Sequence, residues 1–179
     1  VAYYFRDANY VKAFGNVKMN QGDTVFMDSK YAEYRGNTKF AFATGNVVMS
    51  DPKMTLTTDT VNFDRRVQQA YYTTYGTIKD QENTLKSKSG RYYLDQKKFQ
   101  FLTAVTITNP KYVIKSNHLD YYSNSGHSYL FGPSTITSKE NFIYTEKGFY
   151  DTKKNFAHFV KNSYIKYNNR LIEGDSLYY

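Results

Sequence analysis

Ala43-Thr44-Gly45-Asn46-Val47, followed nine residues later by Leu56-Thr57-Thr58-Asp59-Thr60-Val61-Asn62-Phe63-Asp64, is the stretch on which the fold turns. The first phrase recurs as Ala13-Phe14-Gly15-Asn16-Val17 and, more loosely, as Tyr75-Gly76-Thr77-Ile78. The second recurs as an aliphatic anchor with a mostly polar residue three positions on. The pairs are Val25 with Asp28, Leu56 with Asp59, Leu85 with Lys88, Ile114 with Asn117, Ile143 with Glu146 and Ile172 with Asp175. Successive anchors stand 31, 29, 29, 29 and 29 residues apart, which composition alone does not produce.

Turn chemistry divides each unit in two. Phe5-Arg6-Asp7, Tyr34-Arg35-Gly36-Asn37, Phe63-Asp64-Arg65-Arg66, Leu94-Asp95-Gln96-Lys97 and Tyr122-Ser123-Asn124-Ser125-Gly126 place an aromatic or aliphatic residue before a polar cluster, as does Tyr150 to Asn155. Asn20-Gln21-Gly22-Asp23, Ser50-Asp51-Pro52-Lys53, Lys79 to Asn83, Asn109-Pro110-Lys111 and Ser138-Lys139-Glu140-Asn141 form the other turn. Such clusters between β-branched and aromatic runs are hairpin turns. No run shows the i, i+3, i+4, i+7 pattern of a capped helix, so each unit is two strands and the chain holds about 12 strands with essentially no helix. The chain starts and stops inside a unit, and the expectation is a window on a longer repeat array.

Within the second strand of each unit the anchor and the later apolar residues differ in parity: Leu56 against Val61 and Phe63, Ile114 against Leu119 and Tyr121. In a flat strand they face opposite sides. Both reach one interior only if the strand bulges or bends near the polar position, which folds the unit into two sheets laid over each other. Asp28, Asp59 and Asp175 are expected to bond backbone groups at a bulge or turn.

Composition narrows the chemistry. The 179 residues include no cysteine, which excludes disulfides, thiolate metal sites and cysteine nucleophiles. No apolar run approaches the ~18 residues of a membrane-crossing helix. His118, His127 and His158 lack metal-site spacing, and neither a Gly-x-Ser-x-Gly nor a phosphate-loop glycine pattern occurs. No catalytic residue, metal or cofactor is therefore assigned, and the chain reads as a non-enzyme. The net charge of +8 concentrates after residue 60, where 17 basic residues face 10 acidic ones, and suits an anionic partner. Lys86, Lys88, Arg91, Lys97, Lys98, Lys111 and Lys115 form the densest basic stretch. Tyrosines interleave with these bases, but no nucleic-acid motif accompanies them, so nucleic acid is not among the expected partners.

The phrase Ala-x-Gly-Asn-Val followed by Leu-x-x-Asp-x-Val-x-Phe-Asp resembles the OstA-like domains of lipopolysaccharide transport, the LptA family. The match is specific over about residues 13–70. Farther on the spacing persists while the phrase loosens to Val105-Thr106-Ile107 and Ser134-Thr135-Ile136, and Lys88 and Asn117 replace the acidic residue. The resemblance implies an all-β, open, twisted jellyroll of two antiparallel sheets forming one domain over residues 1–179. It implies a periplasmic, outer-membrane-associated setting, end-to-end association with like modules or itself, and outer-membrane assembly proteins as partners. The implied ligand is lipopolysaccharide or a related glycolipid, with acyl chains lying against Val25, Met27, Phe40, Phe42, Val47, Met49, Met54, Leu56, Val61, Phe63, Leu85, Phe99, Phe101, Ile114, Leu119, Ile143 and Ile172. The basic stretch would meet the headgroup. The other reading of the same residues is a structural, adhesive or glycan-binding β-repeat with a closed core.

Overall fold

The structure, a computed structural model, describes residues 1–21, 25–154 and 156–179, and the side chain of Gln21 is not among them. The turn residues Gly22, Asp23 and Asn155 named above thus lie outside the described residues. Fifteen strands follow one another: β1 (Ala2–Phe5), β2 (Tyr10–Gln21), β3 (Val25–Arg35), β4 (Phe40–Ser50), β5 (Thr55–Asp64), β6 (Gln69–Tyr72), β7 (Gly76–Lys79), β8 (Thr84–Ser87), β9 (Ser89–Tyr93), β10 (Lys98–Thr108), β11 (Tyr112–Tyr122), β12 (His127–Ser138), β13 (Asn141–Asp151), β14 (Phe156–Tyr167) and β15 (Arg170–Tyr178). No helix occurs among the described residues. Pairing is antiparallel throughout, and outside the region β5 to β10 each strand pairs only with its neighbours in sequence.

Every long strand breaks register once near its middle. Between β4 and β5 the shift falls between Thr44 and Val47, where Gly45 and Asn46 have φ of +84° and +56°. These are left-handed conformations, which glycine and asparagine adopt most readily. The Gly-Asn of the repeated phrase is therefore the bulge itself. Thr103-Ala104 and Lys161-Asn162 occupy the same slot in later units with φ between +51° and +65°. At the centre the bulge becomes a complete break. β6 and β7 separate at Thr73-Thr74-Tyr75, β8 and β9 at Lys88, and the sheet forks into a β6–β9 branch and a β7–β8 branch.

The fork exposes the plan of the whole molecule, in which each long strand contributes one half to each of two arms. Across the first arm, paired residues form an inward row: Ala32, Ala43 and Val61, then Tyr72, Gly90 and Phe101, then Leu119, Leu130, Gly148, Phe159 and Leu177. Across the second arm the row is Met27, Met49, Leu56, Ile78 and Leu85, continuing through Ile107, Ile114, Ile136, Ile143 and Ile165 to Ile172. Members of the two rows pack together: Ala43 and Val61 with Met27, Met49 and Leu56, and Phe101 and Leu119 with Ile78, Leu85, Ile107 and Ile114. The arms thus close on each other along the line of bulges, as the parity of Leu56 and Val61 requires.

Two details depart from the sequence reading. The first unit's anchor is Met27, which pairs with Met49 and through it with Leu56; Val25 lies two residues outward on the same face. With Met27 in place the period from Met27 to Ile172 is 29 at every step. The strand count is 15, against about 12, because β1 adds a half-unit and two long strands are each cut in two.

Side chains and backbone hold the tips. Asp51 Oδ1 accepts the N–H groups of Lys53 (2.7 Å) and Met54 (2.8 Å), and Asp80 does the same for Glu82 and Asn83. At the opposite tips, successive turns stack: the N–H of Gly36 donates to Asn9 O (2.7 Å), Arg65 to Lys39 O (3.0 Å) and Ser123 to Lys97 O (3.0 Å).

Candidate functional site

Between the arms lies a cavity of about 190 Å³ with an almost wholly apolar wall. Val25, Met49, Met54, Leu56 and Ile78 line it from the second arm, and Val61, Ala70, Tyr72, Tyr92, Phe99 and Phe101 from the first. Seven of these, Val25, Met49, Met54, Leu56, Val61, Phe99 and Phe101, are among the interior residues expected from the sequence. The others follow from the period once the rows are known, since Ile78 stands 29 residues after Met49 and Tyr92 29 after Phe63. Methionine gives such a wall an adaptable surface.

The remaining expected interior residues divide into four groups. Val47 is fully buried at the bulge line, and Met27 packs against it; Phe63 faces inward beside Ala41 and Ala70 in a row of its own. Leu85, Ile114 and Leu119 belong to a buried cluster with Phe101, which also borders the cavity, while Ile143 belongs to another with Phe159. Ile172, on the last strand, is half exposed. Phe40 and Phe42 face outward. Ala41 and Ala43 take the inner face of β4, strand alternation sends their neighbours to the other side, and the Phe42 ring sits 5.7 Å from outward-facing Tyr31.

Polar groups at the bulge line are hydroxyls, one residue before most of the positions expected. Thr58 Oγ1 donates to Tyr75 O (2.7 Å), Ser87 Oγ to Ser89 O (3.0 Å), Ser116 Oγ to His118 O (3.0 Å) and Thr145 Oγ1 to Lys147 O (2.9 Å). Each hydroxyl thus satisfies a main-chain carbonyl beside the bulge or, for Thr58, at the fork. Asp28, Asp59 and Asp175 are exposed, and Asp59 accepts only the hydroxyl of its neighbour Thr60 (3.0 Å) in the bonds described. A short side chain reaches back to the bulge inside the cleft, whereas a carboxylate there would be a buried charge. Ser29 fills the same slot in the first unit, but its buried Oγ has no hydrogen-bond partner among the described residues.

The outer face of the first arm carries the buried carboxylates. Glu33 accepts from the hydroxyls of Tyr10 and Tyr31 and from Arg35 Nη2 (2.7 Å). Burial pushes its pKa up, but those three donors outweigh burial and hold it below the usual carboxylate range. Asp120 accepts from Lys98 Nζ (2.8 Å) and lies 2.9 Å from His118 Nε2. Desolvation works against the Lys98 ammonium, and the bond to Asp120 overrides it and raises its pKa.

The basic stretch does not converge. Lys98 and Arg91 lie on the outside of the first arm, Lys98 neutralised by Asp120 and Arg91 bonded to Gln69 with its guanidinium over Tyr71. Lys86 and Lys115 flank Thr106 on the outside of the second arm. Lys97 and Lys111 stand at opposite tips, and Lys88 at the fork. Alternate residues of a strand face opposite ways, so a run of bases in sequence scatters over two surfaces. His118, His127 and His158 also stay apart, each with its own partner, and no metal-holding cluster occurs among the described residues.

Comparison with known proteins gives three findings. A family model described as OstA-like protein matches residues 1–117. No curated protein matches the chain. Among solved structures, the chain is similar to LptH from Pseudomonas aeruginosa, described as the LptA homologous periplasmic component of the conserved lipopolysaccharide transport device. That likeness has 13% identity and a TM-score of 0.49, and covers 55% of this chain and 75% of LptH.

Proposed function

The chain belongs to the OstA-like protein family, and from that premise we propose that it binds and passes on lipopolysaccharide or a related glycolipid in the periplasm. The acyl chains enter the cleft between the arms while the headgroup stays in water. The observation that carries this reading is the apolar cavity between Met49, Met54 and Leu56 on one arm and Ala70, Tyr92 and Phe99 on the other. Each methylene buried there contributes about 0.8 kcal/mol, so one chain partly inserted gives useful affinity without any charged contact. Lys86 and Lys115, both exposed on the outer surface of the second arm, support a phosphate contact on that face. The inward rows run unbroken past residue 117 to Leu177, which supports treating residues 1–179 as one repeat domain.

In the same reading the chain joins like modules or itself end to end, through the hydrogen-bonding edges of its outermost strands, and hands its ligand to outer-membrane assembly proteins without chemistry of its own. A photoreactive phenylalanine analogue at Met54 is expected to crosslink lipopolysaccharide, and the same analogue at outward-facing Phe42 is not. Equal labelling at both positions, or none at either, removes the reading and leaves the closed-core structural module. The buried cluster around Phe159, none of whose members lines the cavity, favours that alternative for the C-terminal units taken alone.

A further inference from the structure

Tyr72 is the one residue of the first arm's inner row whose side chain crosses to hydrogen-bond the second arm in the bonds described. It is 3% exposed, and its hydroxyl lies 2.6 Å from Ser87 Oγ on β8. Its ring lies over two glycines, Gly76 on β7 and Gly90 on β9, and a methyl group added at either would overlap it. The equivalents of Gly90 one unit before and after are Val61 and Leu119, and those of Gly76 are Val47 and Val105. Two side chains that neighbouring units use are thus absent where the tyrosine lies, and the strand that carries Tyr72 and its neighbour β8–β9 are broken at the same level. The cavity rests directly on this ring.

Resting on the acyl-binding reading above, we infer that Tyr72 is the floor of the site and sets the longest acyl segment the cleft accepts. A chain entering from the tips meets Met54 and Phe99 first and Tyr72 last. Below the ring there is only the space that Gly76 and Gly90 leave and the tyrosine fills. Chain length, and not headgroup chemistry, is what this residue selects. Phe159 fills the same row three units on, in a core away from the cavity, so it serves as a matched control.

The test is displacement of a fluorescent apolar dye by saturated fatty acids of increasing length, from octanoate to stearate, on the whole chain. For the native protein, affinity rises about fourfold per methylene and then levels off once the chain reaches the floor. In Tyr72→Ala the rise continues and the plateau moves to longer acids by several methylenes, while Phe159→Leu leaves it in place. Tyr72→Leu, which keeps an apolar filler, gives a smaller shift in the same direction and serves if the alanine variant loses its β-sheet circular dichroism. Plateaus that coincide in native and Tyr72-substituted protein, or a shift as large in Phe159→Leu, overturn the inference while acyl binding stands. Failure of the native protein to bind any of the acids removes acyl binding itself, and the floor with it.

Discussion

Glu33 shows how much a single residue on the outer face contributes to the fold. The residue is 6% exposed, and its carboxylate is ringed by Tyr10, Tyr31 and Arg35. Because its native pKa lies below the unfolded value of about 4.3, the stabilisation is complete above that value and is lost as pH falls through the native one. Urea titrations from neutral to acid pH are expected to show a steep acid limb that flattens in Glu33→Gln, with about 1–3 kcal/mol lost at neutral pH. A variant whose acid limb matches the native one would assign that limb to other carboxylates, such as Asp64 or Asp151. Nothing in the sequence pointed to Glu33. Its surroundings come from β2 and β3 meeting in register, a fact of pairing and not of local pattern. Val25 and Met27 were ambiguous for a related reason, since both face inward and only the partner Met49 shows which one continues the row.

At the scale of the element, the bulge is what makes a strand serve two arms, and its hydroxyl is what makes the bulge tolerable. Thr145 donates to Lys147 O (2.9 Å), lies 3.2 Å from Val160 O and is 2.9 Å from Ser163 Oγ. Thr145→Val keeps the shape and removes those bonds, so a loss of about 1–3 kcal/mol is expected in chemical denaturation. Ser29→Ala removes an oxygen with no hydrogen-bond partner among the described residues and is expected to leave the midpoint unchanged or raise it. Equal destabilisation by both would show that the hydroxyls matter for packing and not for the carbonyls. The bend itself was legible in the parity of Leu56 against Val61. The group satisfying it was not, because Asp59 and Thr58 are both polar and only the inward direction of Thr58 separates them. Phe40 and Phe42 were misplaced although the parity of their own strand sends them outward, since Met49, Val47, Ala43 and Ala41 keep one face across Gly45-Asn46.

The whole molecule is a one-dimensional array, its strands ordered in space as in sequence apart from the central fork. Contacts that reach only to neighbouring units make stability close to a sum over units and interfaces. Removing residues 114–142, one full period, joins Val113 to Ile143 and restores every inward row. The shortened protein is expected to keep its β-sheet spectrum and unfold with a urea m-value lower by about one-sixth, in line with its lost surface. Aggregation of that variant would mean that units are not interchangeable beyond Met27 to Ile172. Repeat, sheet class and the described turns were all readable in the sequence, since they are properties of period. The fork was not, because Thr73-Thr74-Tyr75 and Lys88 differ little in character from the bulges they replace.

The line of bulges also governs the elasticity of the cleft. Widening the gap between the arms flexes every continuous strand at its bulge, so the restoring force adds strand by strand along the array. At the fork two adjacent strands are severed, and there the spine is at its most compliant. The cavity sits over that soft place, and the bond across it from Tyr72 to Ser87 acts as a clasp on a hinge the backbone has already loosened.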